Sequence, residues 1–307
     1  MPSIPDILPA RRRASSGART VLAALLSAGT ACAWADSARA GAWTQPRGHY
    51  YVRIGVAGID TRSRFDATGG LVPYDAAGSS AASAPGETRY RARELRGYAE
   101  YGVFDRLTAY GSTAYKSLAL EERTLRRETS GFGDLHLGAR LRISGPRSPV
   151  SLSGEARLPL GYSTDENPSL GAGEADVALR LLAGASRGRL YATADGGFAW
   201  RGGGFQDQFL ASLEGGGRFF GMYGGRVVLR WERSVELATA GAGDAAGFDP
   251  ALQSPRLLTI DGVINLEILP GLELEAGISH ALSGRNALAG NTLEVALVGF
   301  GAAGATR

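Results

Sequence analysis

Charged side chains are the chemistry this sequence offers most freely. Arg140, Arg142, Arg157, Arg180, Arg189 and Arg230 fall at positions that alternate with apolar residues, and Glu155, Asp176, Asp261 and Glu275 stand in the same alternation. Arginines and carboxylates on one wet surface can act in two ways. They can pair across neighbouring strands and brace a wall. They can instead set the field around a watery constriction and select the solute that crosses it. Glu267, Glu273 and Glu294 follow near the end of the chain on stretches that carry no inward arginine. The second reading therefore takes them, with Asp261 and Glu275, as an acidic arc facing a basic one.

Catalysis has less to work with, because the chain has only three histidines. His136 shares a face with Asp134, and Ser151 or Ser153 on the following stretch could approach it, the residue types of an acyl-transfer trio. Polar groups lining a lumen explain that trio equally well. Ser279 and His280 are adjacent and so point to opposite faces of a strand. The histidines lie on separate stretches without metal-ligand spacing. The runs Gly202-Gly203-Gly204 and Gly215-Gly216-Gly217 lack the lysine and helix of a phosphate loop. No catalytic residue, metal site or cofactor is expected.

The elements that would position these charges share one pattern. Past residue 48, stretches of about ten residues carry apolar side chains at every second position. Ala175, Val177, Leu179 and Leu181 share one face, for example, while Glu174, Asp176 and Arg180 share the other. Twelve strands are predicted, over 49–59, 90–103, 107–117, 132–143, 149–160, 173–184, 188–201, 208–219, 225–236, 256–268, 272–282 and 291–301. Short links such as Phe104-Asp105-Arg106 and Leu269-Pro270-Gly271 alternate with longer ones over 60–89, 118–131, 161–172 and 237–255.

A soluble barrel or sandwich would show the same alternation turned inside out. Three features favour a membrane: strand length, charges in mid-strand, and aromatics near strand ends. The aromatics are Tyr50, Tyr101, Phe104, Tyr115, Phe198, Trp200, Phe209, Phe219, Tyr223 and Trp231. The fold class expected is all-β, a transmembrane antiparallel up-and-down β-barrel of about twelve strands. Short turns and both termini would face the periplasm.

Residues 1–35 read as a Sec-type signal peptide, with Arg11, Arg12, Arg13 and Arg19 before an apolar run that ends in Ala33-Trp34-Ala35. A 36–48 N-terminal periplasmic segment, the barrel over 49–301 and a 302–307 tail complete the expected division. Four of the 33 basic residues and one of the 30 acidic ones belong to the leader, so the remainder holds 29 of each. A formally neutral mature chain gives no reason to expect nucleic acid as a partner. The single cysteine, Cys32, also falls in the leader, which excludes a disulfide framework.

Gly41-Ala42-Trp43-Thr44-Gln45-Pro46-Arg47-Gly48, Glu100-Tyr101-Gly102-Val103-Phe104-Asp105-Arg106-Leu107-Thr108 and Gly131-Phe132-Gly133-Asp134-Leu135 carry a resemblance, and Gly171 to Val177 fits it. The chain resembles a loose family of proteobacterial outer-membrane proteins that includes XagA-like proteins and transporters of the phenol meta-pathway type. The motifs are turn and strand-edge signatures. The resemblance implies a barrel and hints at small-molecule passage. Barrels of this class usually finish on an aromatic residue, whereas here Phe300 is followed by Gly301 to Arg307. Either Phe300 is the last girdle residue with a tail appended, or the assembly signal is degenerate.

The function expected is an outer-membrane channel or transporter for a small solute in a Gram-negative cell. Its partners would be outer-membrane lipid, the barrel-assembly machinery and the solute. A non-conducting barrel with a structural, adhesion or exopolysaccharide role is the alternative, and a lipid-modifying enzyme a distant third.

Overall fold

The computed structural model describes residues 41–74, 87–123, 125–235, 248–253 and 255–303; the expected leader lies outside them. Sixteen strands form: β1 His49–Thr61, β2 Ser63–Phe65, β3 Leu71–Pro73, β4 Arg89–Phe104, β5 Leu107–Glu121, β6 Arg126–Phe132, β7 Asp134–Arg142 and β8 Val150–Pro159. They continue with β9 Asp176–Arg187, β10 Leu190–Arg201, β11 Gln208–Phe219, β12 Tyr223–Ser234, β13 Arg256–Leu269, β14 Leu272–Arg285, β15 Ala287–Ala289 and β16 Asn291–Ala302.

Each long strand pairs antiparallel with its sequence neighbour, and β1 pairs with both β16 and β4, which closes the ring. β5 pairs with β7 along its first half and with β6 along its second. The two pieces are therefore one barrel strand interrupted at Gly133, and the barrel has twelve staves. Closure leaves no open edge within a hydrocarbon layer, where each unpaired backbone group costs several kcal/mol. Within the barrel sheet, among the described residues, β6 alone lacks a strand on its far side. That edge marks the level at which the wall leaves the lipid.

Outward positions fix what surrounds the barrel. Leu137 (48% exposed), Leu152 (44%), Leu181 (56%), Val227 (53%), Ile264 (70%) and Leu297 (51%) would all stand in water if no lipid covered them. Apolar exposure on every stave is untenable for a soluble protein and expected for a transmembrane one. The outward aromatics form two bands. Tyr50, Tyr101, Phe104, Phe219 and Tyr223 ring the short-turn end. Tyr115, Phe132, Phe198, Trp200, Phe209 and Trp231 ring the other, with Tyr115 on Phe132 at 5.4 Å and Phe198 on Phe209 at 5.1 Å.

Several expectations are corrected. The stretch 118–131 is not a plain loop: β5 runs on to Glu121 and β6 returns from Arg126, a hairpin standing above the aromatic band. β9 begins at Asp176 rather than 173, because Gly173 takes a φ of 76° and its N–H donates to the Tyr162 hydroxyl at 3.0 Å. Phe300 pairs with Tyr51 and shares its lumen-facing side, so it is not a girdle residue. Part of the long 60–89 connection forms β2 and β3, which make a small sheet with β15 at the loop end.

Candidate functional site

The polar half of every stave converges on the lumen. Its wall is laced with ion pairs. Arg53 of β1 reaches Glu275 of β14 at 2.8 Å and Glu294 of β16 at 2.7 Å. Arg226 of β12 meets Glu275 at 2.7 Å, and Arg218 of β11 meets Glu267 at 2.6 Å and also Glu273. Arg180 and Asp195 pair at 2.5 Å, and Arg230 pairs with Asp261.

Each expected pore residue can now be placed. Arg140 is buried, with Glu100 at 3.2 Å. Arg142 stands at the short-turn end and donates to the Asp105 carbonyl at 3.1 Å. Arg157 pairs with Asp176, which also sees Arg201 at 3.5 Å. Glu155 accepts or shares a hydrogen bond with His136 at 2.9 Å. Arg180, Arg230, Asp261 and Glu275 face the lumen in the pairs above. Arg189 does not: it sits exposed in the turn between β9 and β10, because Gly188, at a φ of 62°, ends the strand before it.

The acidic arc is also corrected. Its carboxylates do not face a distant basic arc; Asp261, Glu267, Glu273, Glu275 and Glu294 each meet an arginine supplied by β1, β11 or β12. Arg201, Arg218 and Arg226 were missed as lumen residues. Their parity with Asp195, Glu214 and Arg230 on the same strands was the available signal.

The candidate acyl-transfer trio comes apart. His136 turns to Glu155, Ser153 shares a hydrogen bond with Tyr110 at 2.7 Å, and Ser151 donates to the Ala42 carbonyl at 2.5 Å. Asp134 instead accepts from the Tyr162 hydroxyl.

Ser151 belongs to a different structure, an N-terminal segment packed inside the short-turn end. Residues 41–48 lie across the inner faces of β4 to β10. The Trp43 carbonyl accepts from Arg140 at 2.8 Å, and the Trp43 indole donates to the Pro146 carbonyl at 3.0 Å while resting edge-on against Tyr191. Gln45 donates through its backbone to Thr108 at 2.7 Å and through its side chain to Glu100 at 2.8 Å. Ala42 is fully buried and Trp43 nearly so. The approach is close enough to require glycine: a Cβ at Gly102 would stand 1.9 Å from the Pro46 carbonyl, and one at Gly184 would meet the Trp43 ring at 2.7 Å.

The described residues at the loop end pack by a different chemistry. Tyr74 stacks on Tyr90 at 5.8 Å and meets Phe248 edge-on at 5.4 Å, its hydroxyl donating to the Phe248 carbonyl at 2.8 Å. Leu118, Leu120 and Leu170 complete an apolar cluster drawn from three loops and the inner faces of β4 and β5. Asp249 accepts from the Ser169 N–H at 2.7 Å and caps the short 3-10 turn Pro250–Leu252. Burial pushes the Asp249 carboxyl up, against the pull of those two donors. Between these two ends a file of tyrosines, Tyr51, Tyr98 and Tyr110, runs along the wall at spacings of 6.1 and 6.3 Å.

No protein-family model and no curated protein matches the chain. Solved structures do. The crystal structure of an outer membrane channel from Pseudomonas putida F1 superposes with a TM-score of 0.64 at 16% identity, over 85% of this chain and 98% of that one. The NanC porin follows at 0.48 and 8% identity, over 82% of this chain and 99% of that one. The fold is shared with bacterial outer-membrane barrels. Among the described residues no helix is long and apolar enough to cross a membrane.

Proposed function

We propose that the protein is a channel of the bacterial outer membrane for a small solute, shut at rest by its own N-terminal segment at one end and by converging loops at the other. The observation that carries this is the nature of the closures. Both are built from segments tethered to the wall by a limited set of bonds, and between them lies a wall of charges and tyrosines that water can fill. Twelve staves leave more room than the eight that side chains alone can fill. The matched Pseudomonas putida structure is described as a channel, which supports the same reading for this chain.

On this reading the short turns face the periplasm, residues 41–48 serve as the periplasmic closure, and Arg140, Arg157, Arg180, Arg230, Glu155, Asp176, Asp261 and Glu275 line the path. The turn motifs support a place beside XagA-like proteins and transporters of the phenol meta-pathway type. The interlocking ion pairs favour a second reading, a braced barrel that does not conduct. Single-channel recording on the refolded mature protein separates the two. Small, intermittent openings that become larger in Gly102→Val, whose new side chain displaces Pro46, support the channel; silence in both proteins supports the braced barrel.

A further inference from the structure

Some charges stand on the outside of the barrel and take no part in a channel. Arg89, Arg91 and Arg93 alternate along β4 with Tyr90, Ala92 and Glu94. Tyr90 and Ala92 pack into the loop-end cluster, so the three guanidiniums share the opposite, outward face. Their height in the membrane follows from the pairing. Arg93 lies opposite Ser117 of β5, and Ser117 lies opposite Ser130 of β6. That is one outward position beyond Leu95 and the Tyr115–Phe132 aromatic pair. It is also within the stretch where β6 has a free edge, which hydrocarbon would not tolerate. The arginines therefore stand at headgroup level, just above the apolar wall.

They flank a recess of about 640 Å³ over Gly58 of β1, with Leu293 of β16 as its apolar floor. The two upper arginines are held in place: Asp60 accepts from Arg89 and lies 3.3 Å from Arg91, which also reaches Glu121 at 3.0 Å. Arg93 is exposed and makes no ion pair among the described residues. Asp60 also lines the recess, so the guanidinium left free to take an anion is that of Arg93. Guanidiniums favour phosphate because their fork of donors matches its oxygens.

We propose that this recess binds the phosphorylated headgroup of an outer-leaflet glycolipid, with Arg93 on the phosphate and an acyl chain running down over Gly58 and Leu293. The proposal rests on the reading that the loop end faces the outer leaflet. It extends that reading by assigning a specific lipid site on a wall otherwise suited to any acyl chain.

The test uses the full mature protein in non-ionic detergent and native mass spectrometry with a bis-phosphorylated glycolipid. Wild type should retain the glycolipid, and Arg93→Gln should weaken retention about tenfold, the loss expected for one charged hydrogen bond. Gly58→Leu should block it by filling the recess; the nearest atom to a Cβ there, the Ala92 carbonyl oxygen, is 3.6 Å away, so the strand itself has room. Equal retention by wild type and both variants would overturn the proposal. So would equal binding of the dephosphorylated glycolipid, of phosphatidylglycerol, or of inorganic phosphate alone. Conductance in glycolipid-free bilayers is recorded in parallel. Arg93→Gln should conduct as wild type does, so a failed lipid site and a failed channel give different results.

Discussion

A single inward or outward step decides what each residue costs. Leu181 points into lipid near the middle of β9, where arginine should destabilise the folded barrel by about 2–4 kcal/mol, measured by urea unfolding in lipid vesicles. Gly138 points into the lumen and meets no lipid, yet it has no spare room, since a Cβ there would stand 2.3 Å from the Tyr110 ring. Gly138→Leu should therefore also destabilise, for steric reasons that Tyr110→Ala in the same chain relieves; Leu181→Arg gains nothing from that second change. Arg140 holds Glu100 and the Trp43 carbonyl together in a buried corner. Losing one partner of a buried pair costs about 3–5 kcal/mol. Because Gln45 still satisfies Glu100, Arg140→Gln should release the N-terminal segment before it unfolds the barrel, read as faster proteolysis near residue 43 with retained heat-modifiable mobility.

Among the elements, the staves were legible and the closures were not. Alternation with period two is a property of the local backbone, so β8, β10, β11 and β16 emerge within a few residues of expectation. Residues 41–48 have no such period. They are held by hydrogen bonds to four staves, β4, β5, β7 and β8, and to the turn at Pro146, and nothing in their own sequence announces those partners. The loop-end cap has the same character: Tyr74 and Phe248 come together across 174 positions of chain. Weakening the cap should be separable from weakening the N-terminal closure. Tyr74→Ala removes two ring contacts and a hydrogen bond at the loop end, and should enlarge openings of a channel already loosened by Gly102→Val, with little effect when made alone. An additive response in single-channel recordings, with each change opening the pore by itself, would show that the two closures do not act in series.

For the whole molecule, closure of the ring is the property on which the rest depends. A barrel with every stave paired should resist detergent, migrating faster on a gel unheated than boiled; equal mobility of a well-folded sample would contradict it. The sequence by itself determined that the chain is a ladder of amphipathic strands, which faces are greasy, and which residues are candidates to line a lumen, because all of these follow from alternation along a few neighbouring residues. Only the tertiary structure decided how the charges are used. Arg53 and Glu294 are 241 positions apart in the chain and 2.7 Å apart in space, because ring closure sets the first stave beside the last. Thus a supposed acidic arc became a set of neutralised pairs, and an N-terminal stretch without periodicity became packing against the inner wall of one mouth. Neighbours around a ring are set by its topology, which no local pattern encodes.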